Sequence, residues 1–220
     1  MFSTLMIVST LCPLAYGIFL TTRPPSLHRT LIKMLSVGLL AIYSVYLGAP
    51  ALLVLALAFG TIGDGFLSRQ GDRCFLAGLV SFLLGHLCFT ALFWQLNPAP
   101  ALFPDDLVRM MMAAVLIILA VGVSINLNPF LAELKVPVFI YVAVSLIMGI
   151  MALSLPQSWP ILLVTIGAIL FIFSDVILAY DLFVIPKDSQ LLEYTSRILW
   201  TFYWGGQFLI FLGVIQAAAP

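Results

Sequence analysis

Apolar stretches of roughly twenty residues, separated by short polar connections, recur along the whole chain. A helix rising about 1.5 Å per residue needs about 20 such residues to cross the hydrocarbon core of a bilayer. Eight runs have that length: 3–20, 31–48, 50–67, 74–94, 106–124, 136–155, 159–181 and 197–217. The pattern predicts an all-α fold, a polytopic bundle of eight transmembrane helices. The connections are too short to hold a soluble domain, so residues 1–220 read as one transmembrane domain with antiparallel neighbours. Pro24, Pro25, Pro98, Pro100, Pro104, Pro129, Pro156 and Pro186 fall in the connections. Trp94, Trp159 and Trp200 fall near span ends, where aromatic side chains anchor at the interface. The first run, MFSTLMIVST, has no Lys or Arg before it, so it reads as a retained span and not a signal peptide.

Composition narrows the function classes. Apolar residues make up 63% of the 220 and charged residues 8%, far from the roughly 25% charged content of soluble domains. That excludes a soluble protein and a disordered one. Nine Lys/Arg balance nine Asp/Glu, leaving no basic face for nucleic acid. Three cysteines without a CxxC imply neither a disulfide framework nor a zinc site. Eight Lys/Arg fall in the odd-to-even connections and Arg109 alone on the opposite side. This bias predicts cytoplasmic odd-to-even connections and both termini outside. The expected location is the cell (inner) membrane.

Polar residues within the spans carry the candidate chemistry, because an intramembrane carboxylate costs several kcal/mol and faces a bundle interior or a wet cavity. Asp64 shares a helix face with Gly60 and Gly63. Asp175 shares one with Gly167, Phe171, Ser174 and Leu178. His86 lies with Gly78, Phe82, Gly85 and Phe89, and Gln207 with Tyr203, Gly206 and Ile210. Small residues on a face let neighbouring backbones approach, so these four faces should converge on one cavity. Lys33 opens the second span. Asp72, Asp105, Asp106, Asp181, Asp188 and Glu193 fall at loops or span ends and read as solvated charges. The Met110–Met112 run reads as lipid-facing or packing. FGTIGDGFL (59–67) and LFIFSDVIL (170–178) place Asp64 and Asp175 alike, 111 positions apart. Four spans per half would make a four-plus-four parallel repeat, with both Asp residues toward the cytoplasmic side.

GDGFLSRQGDRCFLAGLVSFLLGH (63–86), GAILFIFSDVILAYDLF (167–183) and TFYWGGQFLIFLGV (201–214) resemble the three signature segments of the YhhN family, multi-pass lysoplasmalogenases. The matching residues are Gly63–Asp64, Gly78–Leu79 with Phe82 and His86, Ser174–Asp175, and Tyr203 with Gln207; Lys33 also falls where the family tends to place a Lys. Phe89 stands where the family often has Tyr, and Gly206 where it often has Ala. The resemblance implies hydrolysis of the vinyl-ether bond of lysoplasmalogens to a fatty aldehyde and a glycerophospho-ethanolamine or -choline. It implies no cofactor and no metal; the partners are the lysophospholipid and the bilayer, with no nucleic acid and no oligomeric state specified.

A vinyl ether is not an acyl group, so the chemistry needs no Ser nucleophile. The hard step is protonation of the alkene carbon, which leaves an oxocarbenium-like cation for water to attack. Glycosidases divide similar labour between an acid and a carboxylate. Asp64 and Asp175 are the expected catalytic pair, with Asp175, the deeper in its span, favoured as the acid. His86, Tyr203, Gln207 and Ser174 are expected to support them, and Lys33 with Arg69 to meet the lipid phosphate. Two other classes fit parts of the pattern. A proton-coupled transporter would use the repeat and the His–Asp relay, but the spans at Asp64 and Asp175 lack paired Gly/Pro breaks. A non-catalytic lipid-binding protein would use the Asp residues as structural partners of Lys33 or His86.

Overall fold

A computed structural model describes residues 2–97, 106–156 and 158–218. The chain forms α1 (Phe2–Ala15), continued by a π-helical turn at Tyr16–Leu20, then α2 (Leu27–Tyr46), α3 (Ala51–Leu67) and α4 (Asp72–Leu96). After these come α5 (Leu107–Leu127), α6 (Lys135–Leu153), α7 (Trp159–Phe183) and α8 (Leu191–Ala217), with two short 3₁₀ turns between α5 and α6. Six of these helices are long and apolar enough to cross a membrane; the apolar stretches Ser9–Leu20 and Ala51–Leu67 are shorter. Eight crossings and the four-plus-four repeat stay proposals. Pro98, Pro100, Pro104 and Asp105 lie outside the described residues.

Helix ends differ from expectation where polar residues propagate the helix. Ser26 caps α2 by accepting from the Arg29 amide, so α2 starts at Leu27 and carries Arg29 and Lys33 on its first two turns instead of in a connection. Likewise α8 starts at Leu191, and Arg197 pairs with Glu193 at i,i+4. Asp106 caps α5 by accepting from the Val108 and Arg109 amides. Arg109 donates to the carbonyls of Leu153 and Leu155 and so closes the end of α6.

The outer face is apolar, as lipid contact requires. Ile118 and Ile125 of α5 are 71% and 69% exposed, and Met110–Met112 are exposed or partly so. The main core gathers α2, α3, α4, α6, α7 and α8 around Leu40, Leu57, Phe89, Met148, Phe171 and Ile210. Its tightest seam joins α7 to α8. A Cβ on Gly167 would lie 2.6 Å from the Gly206 carbonyl oxygen, and one on Gly206 would lie 2.7 Å from that of Gly167. Trp94 and Trp159 are exposed as a belt requires, but Trp200 is 3% exposed. Its indole Nε1 donates to the Pro13 carbonyl at 2.9 Å and its ring packs on Tyr16. Pro13 and the following π-helical turn bring α1 to the Trp200 face of α8, and Trp200 is inside because α1 covers it.

Candidate active site

Asp64 lies one turn from the end of α3, Lys33 on the second turn of α2, and Tyr203 midway along α8. Lys33 Nζ is 2.9 Å from Asp64 Oδ1, and the Tyr203 hydroxyl donates to Asp64 Oδ2 at 2.8 Å. The Asp64 side chain is only 1% exposed. A buried charge is tolerated where it is paired and hydrogen-bonded, and both conditions are met here. Gly60 lets α8 approach: a Cβ there would meet Gln207 Nε2 at 2.9 Å and the Tyr203 hydroxyl at 3.3 Å.

Asp175 is arranged differently. Its Oδ2 lies 3.1 Å from His86 Nε2 on α4, and Ser145 on α6 donates to it at a long 3.4 Å. Tyr141, one turn before Ser145, faces Asp175 and meets the His86 ring edge-on at 5.2 Å. His86 Nδ1 lies 2.8 Å from the Phe82 carbonyl oxygen. A carbonyl only accepts, so that bond assigns the proton to Nδ1 and leaves Nε2 of the neutral ring bare. A bare nitrogen facing a carboxylate would be repulsive. His86 Nε2 and Asp175 Oδ2 stand 3.1 Å apart without hydrogen-bond geometry, and Nε2 is buried with no hydrogen-bond partner. Asp64 is bonded from α2 and α8, whereas Asp175 is bonded from α4 and α6. Each Asp thus takes a partner from the other half of the chain.

Both carboxylates line one cavity of about 230 Å³, together with Lys33, Ser174, Tyr203 and Arg29. A second, apolar cavity of about 70 Å³ lies between α4, α5, α6 and α7, lined by Phe75, Leu79, Val138, Tyr141 and Ala179. Leu67, Phe82, Asp175, Leu178 and Leu182 line both. Asp175 thus stands where an apolar chamber meets a polar one.

The other expected residues divide. Ser174 is buried at the cavity wall, but its hydroxyl is spent on the Phe171 carbonyl at 2.7 Å. Gln207 is fully buried beside Gly60, behind the cavity wall. Arg69 is exposed in the α3–α4 turn and is not among the cavity-lining residues. Lys33, expected to meet the lipid phosphate, lines the cavity and lies against Asp64. Asp175 is deeper along its helix, yet its side chain is 13% exposed against 1% for Asp64. Lys33 and Tyr203 close over Asp64, while Asp175 opens onto both cavities. Asp181, read as a solvated end charge, is 8% exposed because α7 runs on to Phe183. Sequence reasoning also passed over Tyr141 and Ser145; their i,i+4 spacing with Val138 and Met148 on one face of α6 was the available signal. Among the described residues no group of three or more His, Cys, Asp or Glu could hold a metal.

The YhhN family model matches residues 28–214. The chain belongs to the YhhN family. All three signature segments and every residue of the two carboxylate clusters lie inside that match. The Bos taurus and Homo sapiens proteins named lysoplasmalogenase TMEM86A are each 23% identical to this chain over 213 residues, covering 93% of it and 85% of their own length. A Mycobacterium tuberculosis protein named lysoplasmalogenase is 28% identical over 233 residues, covering 94% of this chain and 85% of its own. No solved structure matches the chain.

Proposed function

We propose that this chain is a membrane hydrolase that cleaves the vinyl-ether bond of lysoplasmalogens, with the Asp175–His86 pair as general acid and Asp64 as the partner carboxylate. The observation that carries the reading is the 3.1 Å approach of His86 Nε2 to Asp175 Oδ2 at the junction of an apolar and a polar chamber, and the reading places one shared proton there. A single-tailed lysolipid has that same division, with its vinyl ether at the boundary. The names of the relatives supply the substrate class.

The alkenyl chain lies in the apolar chamber and the glycerophosphate in the polar one. The pair gives its proton to the alkene β-carbon, and positive charge develops at the carbon bearing the ether oxygen. Asp64, held by Lys33 and Tyr203, faces that charge and takes a proton from the attacking water. The hemiacetal then collapses, the bond to the ether oxygen breaks, and the alcohol leaves with a proton. One water is consumed: its oxygen ends in the aldehyde, one hydrogen on the aldehyde α-carbon and the other on the alcohol. Acid–base assistance of this type contributes about 10²–10⁴-fold. Incubation with a vinyl-ether lysophospholipid should release fatty aldehyde, and Asp175→Asn should suppress it. An unchanged rate in that variant contradicts the mechanism.

A lipid-binding reading is favoured by one observation: both carboxylates already have partners, Lys33 and His86. On that reading Asp175→Asn lowers the melting temperature and no aldehyde forms with the native protein. For a transporter, neither α3 nor α7 breaks beside its Asp.

A further inference from the structure

The polar chamber extends past the carboxylate pair. Its lining also includes Arg29, Lys187 and Asp181, none of which the reaction above uses. Arg29 donates from Nη2 to the Thr21 carbonyl at 3.1 Å and sits 5.9 Å over the Tyr16 ring. Its Nε is buried with no hydrogen-bond partner. Lys187 Nζ donates to the carbonyls of Asp181 and Leu182 at 2.9 and 3.2 Å, leaving the third of its ammonium protons. Asp181 is 8% exposed, with Thr195 and the Lys187 charge beside its carboxylate, and its Oδ1 is buried without a hydrogen-bond partner. An unpartnered buried carboxylate oxygen and an unpartnered buried guanidinium N–H in one cavity each leave a binding capacity unfilled.

From these groups we propose that this part of the cavity is a zwitterionic head-group site, in which Arg29 and Lys187 hold a phosphodiester and Asp181 holds the ammonium beyond it. The proposal rests on the hydrolase reading for the position of the vinyl ether. Arg29 is one helical turn from Lys33, about 6 Å along α2, and Lys33 bonds Asp64. Asp181 is six residues beyond Asp175, about 9 Å along α7. A lysolipid presents vinyl ether, glycerol, phosphate and amine in that order, with the phosphorus a glycerol's length from the ether and the amine farther still. The chamber presents the carboxylate pair, then Arg29, then Asp181. The signs are complementary: the two cations face the phosphate and the carboxylate faces the ammonium. Guanidinium binds phosphate through paired, charge-assisted hydrogen bonds, and a desolvated carboxylate favours a primary or quaternary ammonium over a neutral head.

The test is equilibrium binding of saturated 1-O-alkyl ethers, which lack the reactive double bond, to the full-length protein in detergent. Three head groups are compared: glycerophosphoethanolamine, glycerophosphate and plain glycerol. Arg29→Gln should weaken the two phosphate-bearing ligands at least tenfold more than the alkylglycerol, the scale of a charge-assisted contact. Asp181→Asn should weaken the ethanolamine ligand at least tenfold more than the alkylglycerophosphate. Equal effects on all three ligands, or native protein that does not discriminate among them, would overturn the site. So would soluble phosphoethanolamine binding as tightly as the lipid, which would mark a free-phosphate site. If the head-group pattern holds while the vinyl-ether counterpart yields no aldehyde, the head-group site stands and the hydrolase reading falls.

Discussion

Asp64 and Asp175 differ in what holds them, and the difference sets what their substitution does. Removing one member of a buried ion pair strands the other charge and costs about 3–5 kcal/mol. Asp64→Asn should therefore lower the melting temperature as well as the activity. Replacing Lys33 with Met in the same protein should restore most of the stability without restoring turnover, a dissociation that thermal unfolding and aldehyde release measure together. Asp175→Asn keeps the shape of the carboxyl, and its neighbour His86 can remain a neutral ring. It should leave the melting temperature within a few degrees of native and lower kcat by at least about 10²-fold, the low end of acid–base assistance. His86→Ala should also lose activity, because the proton is then held by Asp175 alone with no imidazole to re-form the pair. The individual residues were legible in the sequence as charges and dipoles inside apolar runs. Lys33 and His86 were legible as possible partners of the carboxylates, but not which partner goes to which Asp. Asp181 looked solvated because a charge closing the run 159–181 reads as an end group, although Leu182 and Phe183 carry α7 on past it.

At the scale of helices, the site depends on how closely α8 rides on α7 and α3. Gly167 and Gly206 put the α7 and α8 backbones in contact, and Tyr203, one turn before Gly206, reaches across to Asp64. Gly206→Val has no room without separating the helices. Overpacking of this kind costs about 1–3 kcal/mol, and here it also withdraws the Tyr203 hydroxyl from Asp64. The variant should unfold at lower temperature and turn over more slowly, with kcat reduced more than KM is raised. A variant that kept native kcat would show that the Tyr203–Asp64 bond does not matter to the chemistry. The long helices were legible from apolar run length, and the small-residue faces did mark where helices meet. That the polar faces of α3, α4, α7 and α8 turn toward one another was legible, but not which helix pairs with which. The pairing of α4 with α6, which delivers His86 to the Asp175 of α7 beside Tyr141 and Ser145, is a long-range packing outcome that no local pattern encodes.

Across the whole molecule, the two chambers meeting at Asp175 assign the ends of the substrate. Filling the apolar chamber should shorten the tail that fits. Ala179→Phe adds a ring to its wall and should shift the preference toward shorter alkenyl chains by at least tenfold in kcat/KM, about 1.4 kcal/mol or two buried methylenes. An unchanged chain-length profile would place the tail elsewhere. The bundle was legible as a membrane protein from composition alone, but the chambers arise from residues on the π-helical turn and on α2 to α8, and their shape depends on packing between helices distant in sequence. The central claim is that the proton shared by Asp175 and His86 is delivered to a vinyl ether. The most direct measurement follows free aldehyde from a vinyl-ether lysophospholipid and free fatty acid from its ester analogue, with native protein and with Asp175→Asn. Aldehyde from the vinyl ether, no fatty acid from the ester, and loss of the aldehyde in a variant that melts like the native protein is the predicted result. Undiminished aldehyde release by Asp175→Asn, or none from folded native protein, would contradict it.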